Sequence, residues 1–138
     1  DAYNANPASM EEALWLLGTI DTEAARRAVL GDMLELGPEA ETFHEAVGRQ
    51  VPTGAWLYVA GAFAVAVARG AATAGVDAAR VRRFDDVDAM AAAVRADAKA
   101  GDLVLVKGSR GMRLERVVDA LAPGRAGNAA ALAAAGKE

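Results

Sequence analysis

The sequence predicts an α/β fold, a mainly parallel sheet with helices on both faces. Short apolar runs alternate with stripes of helical period along most of the chain, and strands separated by helices pair in parallel through right-handed crossovers. The 138 residues amount to one domain, with no room for two cores. Apolar residues make up 54%, but 36 of the 138 residues are Ala. The rest is a Val/Leu-rich core of ordinary size.

The elements follow in order. Asn6-Pro7 starts a helix, since proline suits the first helical position. Ser9 and Glu12 have capping-box spacing and compete for the same start. Met10, Ala13, Leu14 and Leu17 form one stripe that ends near Gly18. Ala28-Val29-Leu30, stopped by Gly31, is too short for a helix and reads as a buried strand. Ala40, Phe43, Val47 and Val51 share a helical face across 39–51. Residues 56–60 form the next strand, followed by Gly61 and an Ala/Val helix to about Ala74. Residues 81–84 are a strand whose Arg82 and Arg83 put it near an edge. Val87, Met90, Ala91 and Val94 mark a helix within 86–99, and 103–106 is the clearest buried strand. Leu114, Val117, Val118 and Leu121 close the unit in an i, i+3, i+4, i+7 row. Four strands with helices between and after them make a Rossmann-like domain over 1–121. Residues 122–138 are an Ala/Gly-rich tail, frayed or partly helical, with no function assigned.

Composition excludes several functions. The net charge is −4 and aromatics are 5%, which leaves little for nucleic acid to bind. Charge is uneven: residues 1–69 hold 4 basic and 10 acidic groups, and 70–138 hold 11 and 9. A local cationic site therefore belongs in the second half. With no Cys, disulfides, zinc-thiolate sites and Cys nucleophiles are excluded. Residues 50–68 carry no charge, close to the length of a membrane span, but Pro52, Gly54 and Gly61 point to a strand and a small-residue helix. The opening at Asp1, without Met or signal peptide, predicts a piece excised from a longer chain.

In an open parallel sheet, ligands bind beyond the carboxyl ends of the strands. Lys107-Gly108-Ser109-Arg110-Gly111 follows the best strand there, and its glycines, helix start and two cations suit a phosphate or a carboxylate. It is not a P-loop; no G-x-x-x-x-G-K-[ST] occurs in the chain. Asp1-Ala2-Tyr3-Asn4-Ala5-Asn6-Pro7 is dense in hydrogen-bonding groups: Asx-turn chemistry explains Asn6 and Asn4 but not Tyr3 or Asp1. Asp32 and Glu35, in the glycine-flanked loop 31–37, could hold a cation, meet Lys107, or serve only structure and solvation. His44, at the edge of an apolar helical face, is expected to be packed and hydrogen-bonded rather than catalytic. No Ser/His/Asp constellation or metal-ligand spacing is present.

Four segments carry a family resemblance: DAYNANPASM at 1–10, LGDMLELG at 30–37, FHEAVG at 43–48 and VKGSRGMRLE at 106–115. Together they resemble the carboxy-terminal domain of the Mur ligase family, over about residues 1–121. Asn-Ala-Asn-Pro combined with Lys-Gly-Ser-Arg is similar to the branch that adds D-Ala-D-Ala. The resemblance implies a cytoplasmic, three-domain, ATP-dependent amide ligase of peptidoglycan synthesis. Its substrates would be UDP-N-acetylmuramoyl-tripeptide and D-Ala-D-Ala. ATP and Mg2+ would be bound mainly by the central domain and the UDP-sugar by the amino-terminal one, both of which this chain lacks, leaving the fragment inactive alone. Carried over by position, Asp1 and Tyr3 would bind nucleotide. Asn4, Asn6, Lys107, Ser109 and Arg110 would bind substrate, with no catalytic residue and no metal ligand in this chain. Asp32 and Glu35 match the family loop without an implied role. Two other readings remain: a stand-alone nucleotide-binding module without catalysis, and a Mur-type ligase that adds a single amino acid.

Overall fold

The computed structural model describes residues 5–121 and 130–133. Five strands form one parallel sheet: β1 (Arg26–Leu30), β2 (Trp56–Ala60), β3 (Val81–Phe84), β4 (Leu103–Lys107) and β5 (Ala130–Ala133). Their order is β3-β2-β1-β4-β5. The helices are α1 (Pro7–Thr19), α2 (Ala40–Gly48), α3 (Ala64–Thr73), α4 (Val87–Asp97) and α5 (Glu115–Ala120). The α/β class, the parallel sheet and the helices on both faces agree with the sequence. The tail does not: within it, residues 130–133 pair with β4 as a fifth strand instead of fraying or coiling into a helix. A four-residue Ala-Leu segment carries no period to distinguish the two, so an open edge beside β4 decides.

Strand alternation divides the core. Ala28, Leu30, Leu57, Val59 and Leu105 face α1, α2 and α3, whose Met10, Leu14, Leu17, Val47 and Val67 cover them. Val29, Tyr58, Ala60, Val104 and Val106 face α4 and α5 through Met90, Val94 and Val117. Both faces of the central strands are thus apolar, as a parallel sheet between helices requires. The helical layer changes face where the chain's travel reverses, so β1 and β4 flank the topological switch point. There the loop after β1 leads to one layer and the loop after β4 to the other, opening a crevice between them.

The direction of α1 matters for this crevice. Asn6 caps α1 with its Oδ1, which accepts the Ser9 N–H at 2.9 Å, while Ser9 Oγ accepts the Asn6 N–H at 3.1 Å. The partner in the capping box is therefore Ser9 and not Glu12. At the other end of α1, the Arg26 guanidinium at the start of β1 donates to the carbonyls of Leu17 and Ile20. That pins the C-terminus of α1 at the amino end of the strands. Its 13 residues span about 20 Å at ~1.5 Å per residue, longer than the five-residue strands. Asn6 therefore stands at the carboxyl rim.

Candidate functional site: the crevice at the carboxyl ends of β1 and β4

The β1–β4 ladder continues past the strands and joins their two loops. Gly31 N–H donates to the Lys107 carbonyl at 3.0 Å, and Ser109 N–H to the Asp32 carbonyl at 2.8 Å. Ser109 Oγ then accepts the Leu34 N–H at 2.8 Å. Gly108 allows this approach: a Cβ there would lie 3.0 Å from Gly31 Cα and 2.6 Å from a Leu114 methyl. The loops 31–37 and 107–111 thus form one piece of structure.

Asp32 fastens a third loop. Its Oδ2 accepts the Ala62 N–H at 2.8 Å and its Oδ1 the Phe63 N–H at 3.1 Å. These donors lie in the turn that enters α3, so a carboxylate from the loop after β1 anchors the start of a helix after β2. Gly61 has φ +118°, and a Cβ on it would lie 2.4 Å from Asp32 Oδ1. Of the roles open in the sequence, the structural one holds for Asp32: it is only 5% exposed, neither solvated nor paired with Lys107. Glu35 is exposed at the loop tip with φ 64°.

His44 is packed and hydrogen-bonded, as expected. It is fully buried, its Nε2 accepts the Met33 N–H at 2.9 Å, and its Nδ1 lies 2.6 Å from the Ala40 carbonyl. An Nε2 that accepts leaves the proton on Nδ1, the neutral tautomer. The ring also stacks on Phe63 at 4.3 Å.

Of the cationic loop, Arg110 is exposed, whereas Lys107 is 2% exposed and Ser109 1%. Lys107 pairs in register with Leu30 and so points toward the α1 face. Burial pushes its pKa down, and the Glu12 carboxylate of α1 partly opposes that shift. The structure therefore brings Asn6, Lys107, Ser109 and Arg110 to one rim. Asp1, Tyr3 and Asn4 lie outside the described residues. Among the described residues, no group of three or more His, Asp or Glu could hold a metal ion. No helix among them is long and apolar enough to cross a membrane.

With this geometry in view, residues 1–110 match the family described as Mur ligase, glutamate ligase domain. The chain belongs to the Mur ligase family. It is 38% identical over 120 residues to the UDP-N-acetylmuramoyl-tripeptide–D-alanyl-D-alanine ligase of Bacillus subtilis (strain 168), covering 86% of this chain and 26% of that ligase. The ligase of the same name from Mycobacterium bovis is 41% identical over 141 residues, covering 88% and 28%. The chain thus spans about a quarter of the length of these Mur ligase relatives. Among solved structures it is similar to the MurF ligase of Thermotoga maritima in complex with ADP, with a TM-score of 0.64 and 28% identity, over 85% of this chain and 26% of that one. A MurF of Acinetobacter baumannii shares the fold with a TM-score of 0.65, at 24% identity, over 85% and 26%.

One buried network escaped the sequence reading. At the amino end of the sheet, Arg27 donates to Asp102 at 2.9 Å, to Tyr58 Oη at 2.8 Å and to the Asp97 carbonyl at 3.1 Å. Tyr58 in turn donates to Asp97 Oδ2 at 2.9 Å. Burial opposes the Arg27 charge, but hydrogen bonds to Asp102 and Tyr58 outweigh it and raise the Arg27 pKa. Burial also pushes the Tyr58 phenol up to about 12, with the Arg27 charge offsetting part of the shift. The one available signal was Arg26-Arg27 leading into an apolar strand, where alternation must send the two guanidiniums to opposite faces.

Proposed function

We propose that this chain is the carboxy-terminal domain of a cytoplasmic, ATP-dependent ligase that adds D-Ala-D-Ala to UDP-N-acetylmuramoyl-tripeptide in peptidoglycan synthesis. The observation that carries this reading is the agreement of name and coverage. Relatives 38% and 41% identical over nearly the whole chain bear the name of that ligase. The rim of the crevice supplies matching chemistry. Arg110 offers a planar, bidentate donor set to the dipeptide carboxylate, and Lys107 adds positive potential from beneath. Ser109, whose Oγ accepts the Leu34 N–H, holds the loop that carries Arg110. Capping uses the Oδ1 of Asn6, so its amide nitrogen takes no part in the cap. Asn4 would line the same rim, with Asp1 and Tyr3 toward the nucleotide.

In this reaction the tripeptide carboxylate takes the terminal phosphoryl group of ATP, giving an acyl phosphate and ADP. The dipeptide amine forms a C–N bond at the acyl carbon and loses a proton, and the tetrahedral intermediate expels phosphate. Mg2+ belongs to this reading of the whole ligase, and no step through the metal is assigned to this chain. Its contribution is placement. Holding the amine against the acyl carbon makes the attack effectively unimolecular, with effective molarities of up to about 10⁵ M or more in good geometries, while closure excludes water.

Assays of the full-length enzyme with D-Ala-D-Ala, meso-diaminopimelate and D-Glu test the reading. Turnover confined to the dipeptide is expected, and turnover with a single amino acid contradicts it. Calorimetry of the 138-residue chain with ATP separates the remaining alternative. Micromolar binding would favour a stand-alone nucleotide module, whereas the ligase reading expects only feeble binding.

A further inference from the structure

We propose that His44 is a positioning residue of the crevice, fixing segment 31–34 by accepting the Met33 N–H so that the linked 107–111 loop presents Arg110 in one place. The proposal rests on the ligase reading above. Three consecutive residues of this segment are gripped from three separate elements. Asp32 reaches the start of α3, Met33 is held by His44 of α2, and Leu34 is held by Ser109 after β4. The Met33 and Leu34 N–H groups take their partners from different elements, which ties the segment to both α2 and the loop after β4. The loop it restrains turns at Glu35, a non-glycine residue with φ 64°, a conformation that persists only where its surroundings over-determine it. Leu34 stays 43% exposed, against Gly111 of the cationic loop. A shift of segment 31–34 is therefore passed through Ser109 to Arg110. His44 touches no rim surface itself, so its effect is on placement and not on bond making.

The two ring nitrogens allow a clean test. In His44→Gln the longer amide can still accept from Met33 at the Nε2 position. In His44→Asn the shorter amide can keep the bond to the Ala40 carbonyl but cannot reach Met33. Both are measured in the full-length enzyme by steady-state kinetics and by hydrogen exchange at 33–34. His44→Asn is expected to raise KM for D-Ala-D-Ala about tenfold, with kcat and the KM for ATP within about twofold and amide protection lost at 33–34. His44→Gln should retain protection and stay within about threefold of the parent KM. Should the Asn variant not fold, His44→Phe keeps a ring to stack on Phe63 but cannot accept from Met33, and carries the same expectation for KM. Equal KM in parent and variants, or equal damage in Gln and Asn, overturns the proposal. So does lost protection without a change in KM. Failure of the ligase reading shows elsewhere, in a parent enzyme that does not turn over D-Ala-D-Ala.

Discussion

Removing the Asp32 carboxylate should cost this domain a large part of its stability. Asp32 is buried and accepts two backbone N–H groups, at 2.8 and 3.1 Å, from Ala62 and Phe63 in the turn that leads into α3. A hydrogen bond to a charged acceptor contributes about 1.5–3 kcal/mol, and loss of a cap typically about 1 kcal/mol, up to ~2. The two bonds share one carboxylate and are not additive, so Asp32→Ala is expected to destabilise by about 3 kcal/mol. That is a substantial share of the ~5–15 kcal/mol that holds most domains. Asp32→Asn keeps one acceptor oxygen and turns an N–H2 toward the other donor, so it should lose about half as much. Urea unfolding followed by circular dichroism measures both. With a slope of ~1.5 kcal/mol/M, the Ala midpoint should fall by about 2 M. Hydrogen exchange should speed up at Ala62 and Phe63 while β4 stays protected. A loss below about 0.5 kcal/mol for Asp32→Ala, with those amides still protected, would show that the carboxylate does not cap α3.

Two further expectations concern packing and pH. A Cβ on Gly48 would lie 2.0 Å from the Val67 carbonyl oxygen, so Gly48→Ala must push α2 and α3 apart. The cost should reach the upper end of ~1–3 kcal/mol for overpacking, lowering Tm by about 10 °C in a thermal melt. Tyr58, with its phenol pushed up to about 12, binds its proton more tightly folded than unfolded. Stability should therefore be whole below pH ~10 and fall as pH rises from there toward ~12. In Tyr58→Phe this decline should be absent, so the stability difference between parent and variant should change between pH ~10 and ~12, and a parallel decline in both would contradict the assignment.

Periodicity made most of the fold legible. Strands 56–60 and 81–84 stand where the apolar runs put them. Where boundaries moved, side chains moved them. The strand expected at 28–30 begins two residues earlier, because Arg26 caps α1 and Arg27 enters a buried network, tasks invisible in a polarity pattern. The helix expected over 39–51 stops at Gly48, after a 3-10 turn over Gly37–Glu39. Strand β5 was missed because its signal lies in the open edge of β4, not in its own residues. At the crevice, residue types and strand ends located the cationic loop. They could not show that Lys107 and Ser109 are buried while Arg110 is exposed, since strand parity and loop pairing decide that. Nor could spacing tell a solvated Asp32 from one that caps a helix 30 residues away.

The most direct test is Arg110→Ala in the full-length enzyme. Arg110 is exposed, so the substitution should spare the apolar core, and a thermal melt of the variant checks its folding. A charge-assisted hydrogen bond contributes about 1.5–3 kcal/mol. KM for D-Ala-D-Ala should therefore rise about tenfold or more, with the KM for ATP unmoved. An unchanged KM for the dipeptide would take this loop out of the substrate site.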